Sequence, residues 1–98
     1  MPEFAIHALR DGGLAVDVQS DLLEPFSTRV VIPLVALEVA PQAPRRLNPV
    51  VDVAGAPLIL ATHLIAALPR SALGPPVGSL AAERDRIRAA LDMLFLGF

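Results

Sequence analysis

The sequence contains no cysteine, tryptophan, tyrosine or lysine, and only four phenylalanines and two histidines. Without cysteine the chain has neither a disulfide nor a thiolate metal site, and two histidines alone are too few for a structural zinc site. The formal net charge is −2 and the arginines form no basic stripe. Contacts between basic residues and phosphates dominate nucleic-acid affinity, so this charge pattern disfavours nucleic-acid binding. Stacking aromatics are also scarce, so the composition argues against a protein that binds RNA or DNA.

The chain is 98 residues long and 54% hydrophobic, which indicates one small domain, residues 1–98, with more apolar side chains than its core can bury. Small domains without a disulfide or a metal are often stabilised by association, so we expect an oligomer. The N-terminal residues lack the basic-then-apolar pattern of a signal peptide. The longest nearly apolar run, residues 57–68, is too short to cross a bilayer as a helix, so we expect a soluble, cytoplasmic protein.

Two β-hairpins are indicated by short apolar runs on either side of glycine-containing turns. The first has strands at about 3–9 and 14–19, joined by Asp11-Gly12-Gly13. The second joins 47–53 to 57–63 across Ala54-Gly55-Ala56. Glycine tolerates the positive φ that tight hairpin turns require, which makes both patterns typical of antiparallel pairs.

The segments between the hairpins are less regular. Residues 28–39 are rich in β-branched side chains and predict either two strands or one strand bent at Pro33, at an edge or a bulge. Residues 64–68 fit a helix or a strand equally, and 70–78 is expected to be extended. The loop from Gln19 to Ser27 carries adjacent leucines, Leu22 and Leu23, which either cover the core or form a contact surface.

The last twenty residues, 79–98, predict an amphipathic helix with Ser79 as its N-cap. Its apolar face follows helical spacing and comprises Leu80, Ile87, Leu91, Leu94 and Phe98. Many short strands followed by one C-terminal helix predict a mainly β fold, a small, strongly bent antiparallel sheet or barrel with the helix packed on it. Residues 93–98 carry no charged or polar side chain, so they either fill the core or a dimer seam, or contact another protein. We expect both, with Leu91 and Leu94 inward and Phe95 and Leu96 outward.

Catalytic and metal-binding residues are not indicated. A triad of Ser20, His63 and Asp52 can be drawn, but the chain has no GxSxG nucleophile motif. Asp17 and Asp21 with a histidine lack the spacing of metal ligands and are better explained as locally hydrogen-bonded residues. We therefore expect no enzymatic activity, no cofactor and no metal.

Three motifs in this order resemble the CcdB family of toxins from type II toxin–antitoxin operons. They are Val-Asp-Val-Gln-Ser-Asp at 16–21, Val-Ile-Pro-Leu at 31–34, and Leu-Asn-Pro-Val-Val at 47–51, followed by a helix that ends Leu-Phe-Leu-Gly-Phe at 94–98. The resemblance covers almost the whole chain. It implies a homodimer of SH3-like barrels, each with a C-terminal helix, that binds the A subunit of DNA gyrase and traps the cleaved-DNA complex.

The resemblance also implies where partners bind. The gyrase-binding residues are expected to be Leu22, Leu23, Asp92, Phe95, Leu96, Gly97 and Phe98. A cognate CcdA-like antitoxin folds onto an overlapping surface in this family, and the antitoxin-binding residues are expected to be Phe4, Ser20, Leu22, Leu23, Arg84, Arg88 and Phe95. No membrane and no direct nucleic-acid partner is implied.

At position 96 this chain departs from the toxic members of the family, which have a tryptophan where it has Leu96, and Asp92 replaces an asparagine one helical turn earlier. In the family the indole stacks on an arginine of gyrase, and a leucine lacks the aromatic face for that cation–π contact. This leaves an alternative function: an attenuated, non-toxic CcdB-like module that binds the antitoxin without poisoning gyrase.

Overall fold

A mainly antiparallel β fold with one C-terminal helix is confirmed by the computed structural model, which describes residues 2–98. The strands are β1 (Ala5–Leu9), β2 (Leu14–Asp17), β3 (Thr28–Ala36), β4 (Val50–Val53), β5 (Ala56–Leu60), β6 (Ala66–Pro69) and β7 (Leu73–Ser79), and the helix is α1 (Arg84–Leu96). Short 3₁₀ turns lie at Asp21–Leu23, Leu37–Val39, Thr62–Leu64, Arg70–Ala72 and Ala81–Glu83. None of the helices in residues 2–98 has the length and apolar content needed to cross a membrane.

The strands form one sheet in the order β4-β5-β3-β2-β1-β7, with β6 paired to β3 beside β5. Since β4 and β7 are not paired to each other within residues 2–98, the sheet is a half-barrel. The core lies between this sheet and α1, and its buried side chains are Phe4, Ile6, Val16, Ile32, Leu34, Val51, Leu60, Leu80, Ile87 and Ala90.

Both predicted hairpins are present, with shorter strands than expected. β1 pairs with β2 across a turn in which Gly12 and Gly13 have φ of 93° and 85°. β4 pairs with β5 through a two-residue turn, Ala54-Gly55, with φ of 53° and 86°. Successive positive φ values at the two central residues are the signature of a type I′ turn, which matches the twist of the flanking strands.

Pro33 lies in the interior of β3, a central strand, and not at the bend between two strands. β3 pairs with β6 over 28–31 and with β5 over 34–36, so Pro33 faces the gap between these two partners. The carbonyl oxygen of Pro33 accepts from the N–H of Ala61 at 2.9 Å. In a strand the nitrogen and the carbonyl of one residue point to the same side, so the ring nitrogen of Pro33 also faces this gap. No hydrogen bond between strands is required of the nitrogen there. The proline is therefore tolerated in a strand that is paired on both sides.

Residues 66–72 form a strand followed by a short 3₁₀ turn. Residues 66–69 form β6, so the strand interpretation of 64–68 holds for most of that segment. Arg70–Ala72 is a 3₁₀ turn, and the extended conformation expected from residue 70 onward begins only at Leu73. Arg70 N donates to Ser27 O at 2.9 Å, a bond that brings this turn against the end of the Leu22 loop.

The helix begins later than predicted. Ser79 is the last residue of β7, and its Oγ accepts from Ala81 N at 3.1 Å at the start of the 3₁₀ turn, so it is not the N-cap of α1. The strand continues this far because Ala5 and Ile6 of β1 pair with Ser79 and Gly78. The predicted apolar face is buried at Ile87 and half-buried at Leu91 and Leu94, but Phe98 is exposed.

Candidate functional site

The 3₁₀ turn Asp21–Leu23, here called the leucine turn, holds its two leucines out toward solvent. Leu22 is 90% exposed and Leu23 is also exposed, so at Leu22 the hypothesis of a leucine that covers the core is wrong. Exposing a leucine to this degree forgoes the roughly 1.5–3 kcal/mol that burial of such a side chain contributes. The turn is therefore shaped by something other than burial of its leucines.

A buried ion pair beneath the leucine turn supplies that shape. Asp17, the last residue of β2, and Arg29 of β3 have fully buried side chains and meet in a bidentate pair, with Nε–Oδ2 at 2.8 Å and Nη2–Oδ1 at 3.0 Å. The same guanidinium reaches the carbonyl oxygens of Leu23 and Gln19, each at 3.4 Å. Bidentate pairing fixes the plane of the guanidinium, so Arg29 holds the end of the leucine turn against the sheet.

Gln19 is the second anchor of the leucine turn. Its side-chain Oε1 accepts from Val30 N at 2.9 Å, and its Nε2 donates to Leu23 O at 3.3 Å. Its own backbone N–H donates to Asp17 Oδ1 at 2.9 Å. A polar side chain with so little exposure requires its hydrogen bonds to be satisfied, and these three bonds couple the turn to both β2 and β3.

Ser20 and Asp21 orient the start of the same turn. Ser20 Oγ accepts from Leu22 N at 3.1 Å, which caps the turn. Asp21 Oδ1 accepts from Glu3 N at 2.7 Å and so ties the turn to the N-terminal segment. Every polar residue of the Val-Asp-Val-Gln-Ser-Asp motif thus helps to present Leu22 at the surface.

Glu24 and Arg70 close the far end of the loop. Arg70 Nη2 donates to Glu24 Oε1 at 2.9 Å, and Arg70 Nη1 also bonds the carbonyl oxygens of Glu24 and Phe26. The pKa of Glu24 is lowered to about 2, and the pairing with Arg70 is the largest cause of that shift. Phe26, an exposed aromatic that sequence reasoning did not single out, is held next to the leucine turn by these bonds.

Acid is expected to open this end of the loop. Because the folded pKa of Glu24 is depressed below its ordinary 4.5, the pair contributes stability above pH 4.5, and that contribution is lost as the pH falls toward 2. We expect an NMR titration of the Glu24 carboxyl to have a midpoint near 2, and Arg70→Gln to raise that midpoint toward the ordinary value, because Arg70 is the largest cause of the lowered pKa. An ordinary midpoint in the unmodified chain would contradict the pairing. Asp52→Asn, which alters an exposed carboxylate on β4, is the control and leaves the Glu24 titration unchanged.

The second exposed apolar surface is the helix tip, defined as Phe95, Leu96, Gly97 and Phe98. Leu96 is 61% exposed, Phe98 is 71% exposed, and Phe95 is exposed to a similar degree. Leu91 is half-buried against the core and Leu94 is half-buried, whereas Phe95 and Leu96 are exposed, so the predicted division into inward and outward side chains is confirmed. Asp92 is exposed one turn before Leu96 and places a negative charge on the same face of α1.

Gly97 ends the helix and turns the chain outward. It has φ of 83°, and its N–H donates to Met93 O at 3.1 Å, which is the left-handed C-terminal cap expected of a glycine here. A Cβ at this position would meet no atom within 4 Å, so the requirement for glycine is conformational and not steric. Because this conformation leaves the helical path, Phe98 does not continue the apolar face of α1 and lies in solvent instead.

The remaining residues expected to bind an antitoxin lie along the first turns of α1 and beneath them. Arg84 and Arg88 are exposed, whereas Phe4 is only 5% exposed and belongs to the core. The guanidinium of Arg88 lies 5.5 Å from the centre of the Phe4 ring and 3.7 Å from the Glu3 carboxylate. Phe4 thus positions Arg88 from below, and Glu3 connects Arg88 to Asp21 of the leucine turn.

The residues considered for catalysis have other partners. Ser20 bonds Leu22 N, His63 Nδ1 lies 3.2 Å from Asn48 Nδ2, and no hydrogen bond joins any two of Ser20, His63 and Asp52 within residues 2–98. Asp17 is engaged by Arg29. Across the same residues there is no group of three or more His, Cys, Asp or Glu side chains that could hold a metal ion.

A family model described as CcdB protein matches residues 4–97, which is nearly the whole chain. The match contains both exposed apolar surfaces, the leucine turn and the helix tip as far as Gly97.

Proposed function

The chain belongs to the CcdB family of gyrase-directed toxins of toxin–antitoxin systems, and on that premise we propose that it binds the A subunit of DNA gyrase and traps the cleaved-DNA complex in the cytoplasm. A cognate antitoxin neutralises it. The observation that carries the proposal is the exposed helix tip, where Phe95, Leu96 and Phe98 all lie in solvent. Contiguous apolar side chains of this kind mark protein-binding surfaces.

The gyrase-binding surface in this proposal comprises Leu22, Leu23, Asp92, Phe95, Leu96, Gly97 and Phe98. Two features of the structure support it. The leucine turn is held by buried polar groups while its own leucines stay exposed, and the helix tip is held by the Gly97 cap while its side chains stay exposed. Both segments are therefore preorganised before a partner arrives, which reduces the entropy lost on binding.

For the antitoxin we propose a surface that overlaps this one and extends along α1. Its residues are Phe4, Ser20, Leu22, Leu23, Arg84, Arg88 and Phe95. Arg88 is exposed and carries a positive charge toward the solvent, whereas the buried Phe4 acts through the ring it places beneath Arg88. Glu3 contacts both Arg88 and Asp21 of the leucine turn, so it connects the two parts of this surface.

The second candidate function is a non-toxic module that binds the antitoxin without poisoning gyrase. Leu96 and Asp92 favour it, because a leucine has no aromatic face to offer a gyrase arginine. Both functions include the antitoxin-binding surface, so they differ in whether gyrase is also bound and trapped.

Induction of the gene in a gyrase-sensitive bacterium separates the two functions. The proposal expects growth arrest with accumulation of cleaved DNA, and loss of both in Leu96→Arg and in a chain without residues 96–98. Val39→Arg is the matched control, because Val39 is an apolar residue of similar exposure. It follows the end of β3 that is distant from the leucine turn. Unimpaired growth at high expression of folded protein would contradict trapping and support the antitoxin-binding module.

We also propose that the protein is a homodimer. Residues 2–98 expose nine large hydrophobic side chains, and three of them lie together at the helix tip, where contiguous apolar surface marks a protein contact. Sedimentation equilibrium at micromolar concentration is expected to give a species of twice 10.3 kDa. A monomer under these conditions would contradict the dimer and leave the gyrase interaction to a single helix tip.

A further inference from the structure

A small cavity lies beside the first turns of α1, away from the helix tip. Its volume is about 190 Å³, and its lining residues are Arg45, Arg46, Pro49, Arg86 and Ala89. Three of these five residues are cationic and none is acidic. Such a concentration of positive charge is unexpected in a chain whose net charge is −2.

The hydrogen bonds of the three arginines leave many of their donors free. Arg45 donates from Nη1 to Ala43 O at 3.2 Å and from Nη2 to Pro41 O at 3.0 Å. Arg86 donates to the carboxylate of Glu83 and, at 2.7 Å, to Val50 O. Among the hydrogen bonds and ion pairs of residues 2–98, none involves the guanidinium of Arg46, so all five of its N–H donors are available.

The helix adds to the positive potential at this place. Arg86 is the third residue of α1 and so lies at the positive end of the helix dipole, where a cation is unfavourable. Glu83 neutralises only one of the three guanidinium groups. An anion placed in the cavity would relieve the repulsion among the remaining charges.

We propose that this cavity, the arginine cavity, binds a carboxylate side chain from an acidic peptide segment of a partner protein. The planar fork of arginine matches a carboxylate with two parallel hydrogen bonds. Pro49 and Ala89 supply apolar surface for the methylene groups of an Asp or Glu side chain. A nucleic acid fits less well, because its backbone needs several phosphate contacts along a basic stripe and the acidic groups of this chain outnumber the basic ones.

The arginine cavity is a site additional to the surface proposed for gyrase. Ala89 and Leu96 are seven residues apart in α1, or about 10 Å along the axis at 1.5 Å per residue. An acidic side chain that occupies the cavity therefore does not itself reach Leu96. The inference does not depend on whether the protein poisons gyrase.

The test is an NMR titration of the purified chain at low ionic strength with a hexaglutamate peptide. Hexaglutamine, inorganic phosphate and a short oligothymidylate are titrated in parallel. We expect hexaglutamate to shift the Arg46 Nε–H and Ala89 N–H resonances, and the double variant Arg45→Gln/Arg46→Gln to weaken its binding by roughly tenfold, since charge-assisted hydrogen bonds are the stronger class. Arg10→Gln, which changes an exposed arginine outside the cavity lining and outside the surfaces proposed for gyrase and the antitoxin, is the control and changes the affinity less than twofold.

Each other outcome overturns the proposal. Shifts that spread over all arginines indicate unspecific charge attraction, and tighter binding of oligothymidylate at the same resonances assigns the cavity to nucleic acid. Binding of phosphate alone assigns it to a free inorganic anion. Thermal unfolding of the double variant is measured first, and an unchanged midpoint shows that the variant is folded.

Discussion

Asp17→Ala is expected to lower the free energy of unfolding by about 3–5 kcal/mol, because it leaves the buried guanidinium of Arg29 without its carboxylate. That is a large share of the roughly 5–15 kcal/mol available to a domain of this size. The leucine turn is expected to loosen as well, since Arg29 also bonds the carbonyl oxygens of Leu23 and Gln19. Urea unfolding followed by circular dichroism measures the first effect, and hydrogen exchange of the Leu22 and Leu23 amides measures the second.

Two further variants separate the buried charge from other effects of the substitution. The pair Asp17→Leu/Arg29→Met removes both charges and is expected to recover most of the stability, because apolar residues of similar volume often replace a buried ion pair without loss. Glu83→Ala breaks the exposed pair with Arg86 and is expected to cost less than about 1 kcal/mol. A cost for Asp17→Ala as small as that of Glu83→Ala would contradict the importance of the buried pair.

Leu96→Trp is expected to strengthen binding to the gyrase A subunit by roughly 2- to 30-fold, which corresponds to a cation–π contribution of about 0.5–2 kcal/mol. Leu96 is mostly exposed at the end of α1, so an indole fits there without disturbing the core. The gain requires that the opposing gyrase arginine is present, as the resemblance to the family implies. Calorimetric titration of the purified A subunit measures the affinity.

Val39→Trp is the matched control for Leu96→Trp, since it adds the same indole at an equally exposed residue outside the helix tip. It is expected to leave the affinity for gyrase unchanged. If Leu96→Trp binds gyrase no better than the unmodified chain, position 96 does not face an arginine. The gyrase surface would then have to be sought around the leucine turn and Phe26.

The parts of the fold that could be predicted depend on residues close together in the chain. The Asp11-Gly12-Gly13 turn and the Ala54-Gly55 turn have local signatures, because only a few residue types accept positive φ. The helix tip was also predictable, since helical spacing separates Leu91 and Leu94 from Phe95 and Leu96. The start of α1 was not predictable, because Ser79 is drawn into β7 by its pairing with β1, a contact distant in sequence.

The supports of the candidate site were harder to predict for the same reason. Arg29 stands in a β-branched run where an arginine commonly faces solvent, and its carboxylate partner Asp17 is 12 residues away. Phe4 was expected to bind the antitoxin, yet its side chain is buried beneath the guanidinium of Arg88, a residue distant in sequence. A short run of residues does not reveal which face of a strand a charged side chain occupies when its partner lies on another strand. The residues that bind partners remain a prediction until the variants are measured.

In the leucine turn, the residues that hold the backbone are different from the residue that is exposed to a partner. Asp17, Gln19 and Arg29 are buried and hold the turn, whereas Leu22 protrudes with 90% of its surface in solvent. Substitutions at such surface positions usually change stability by no more than about 0.5 kcal/mol. If the proposed partner surfaces are correct, single mutations at Leu22 or Leu96 can therefore change partner binding while every intermediate stays folded.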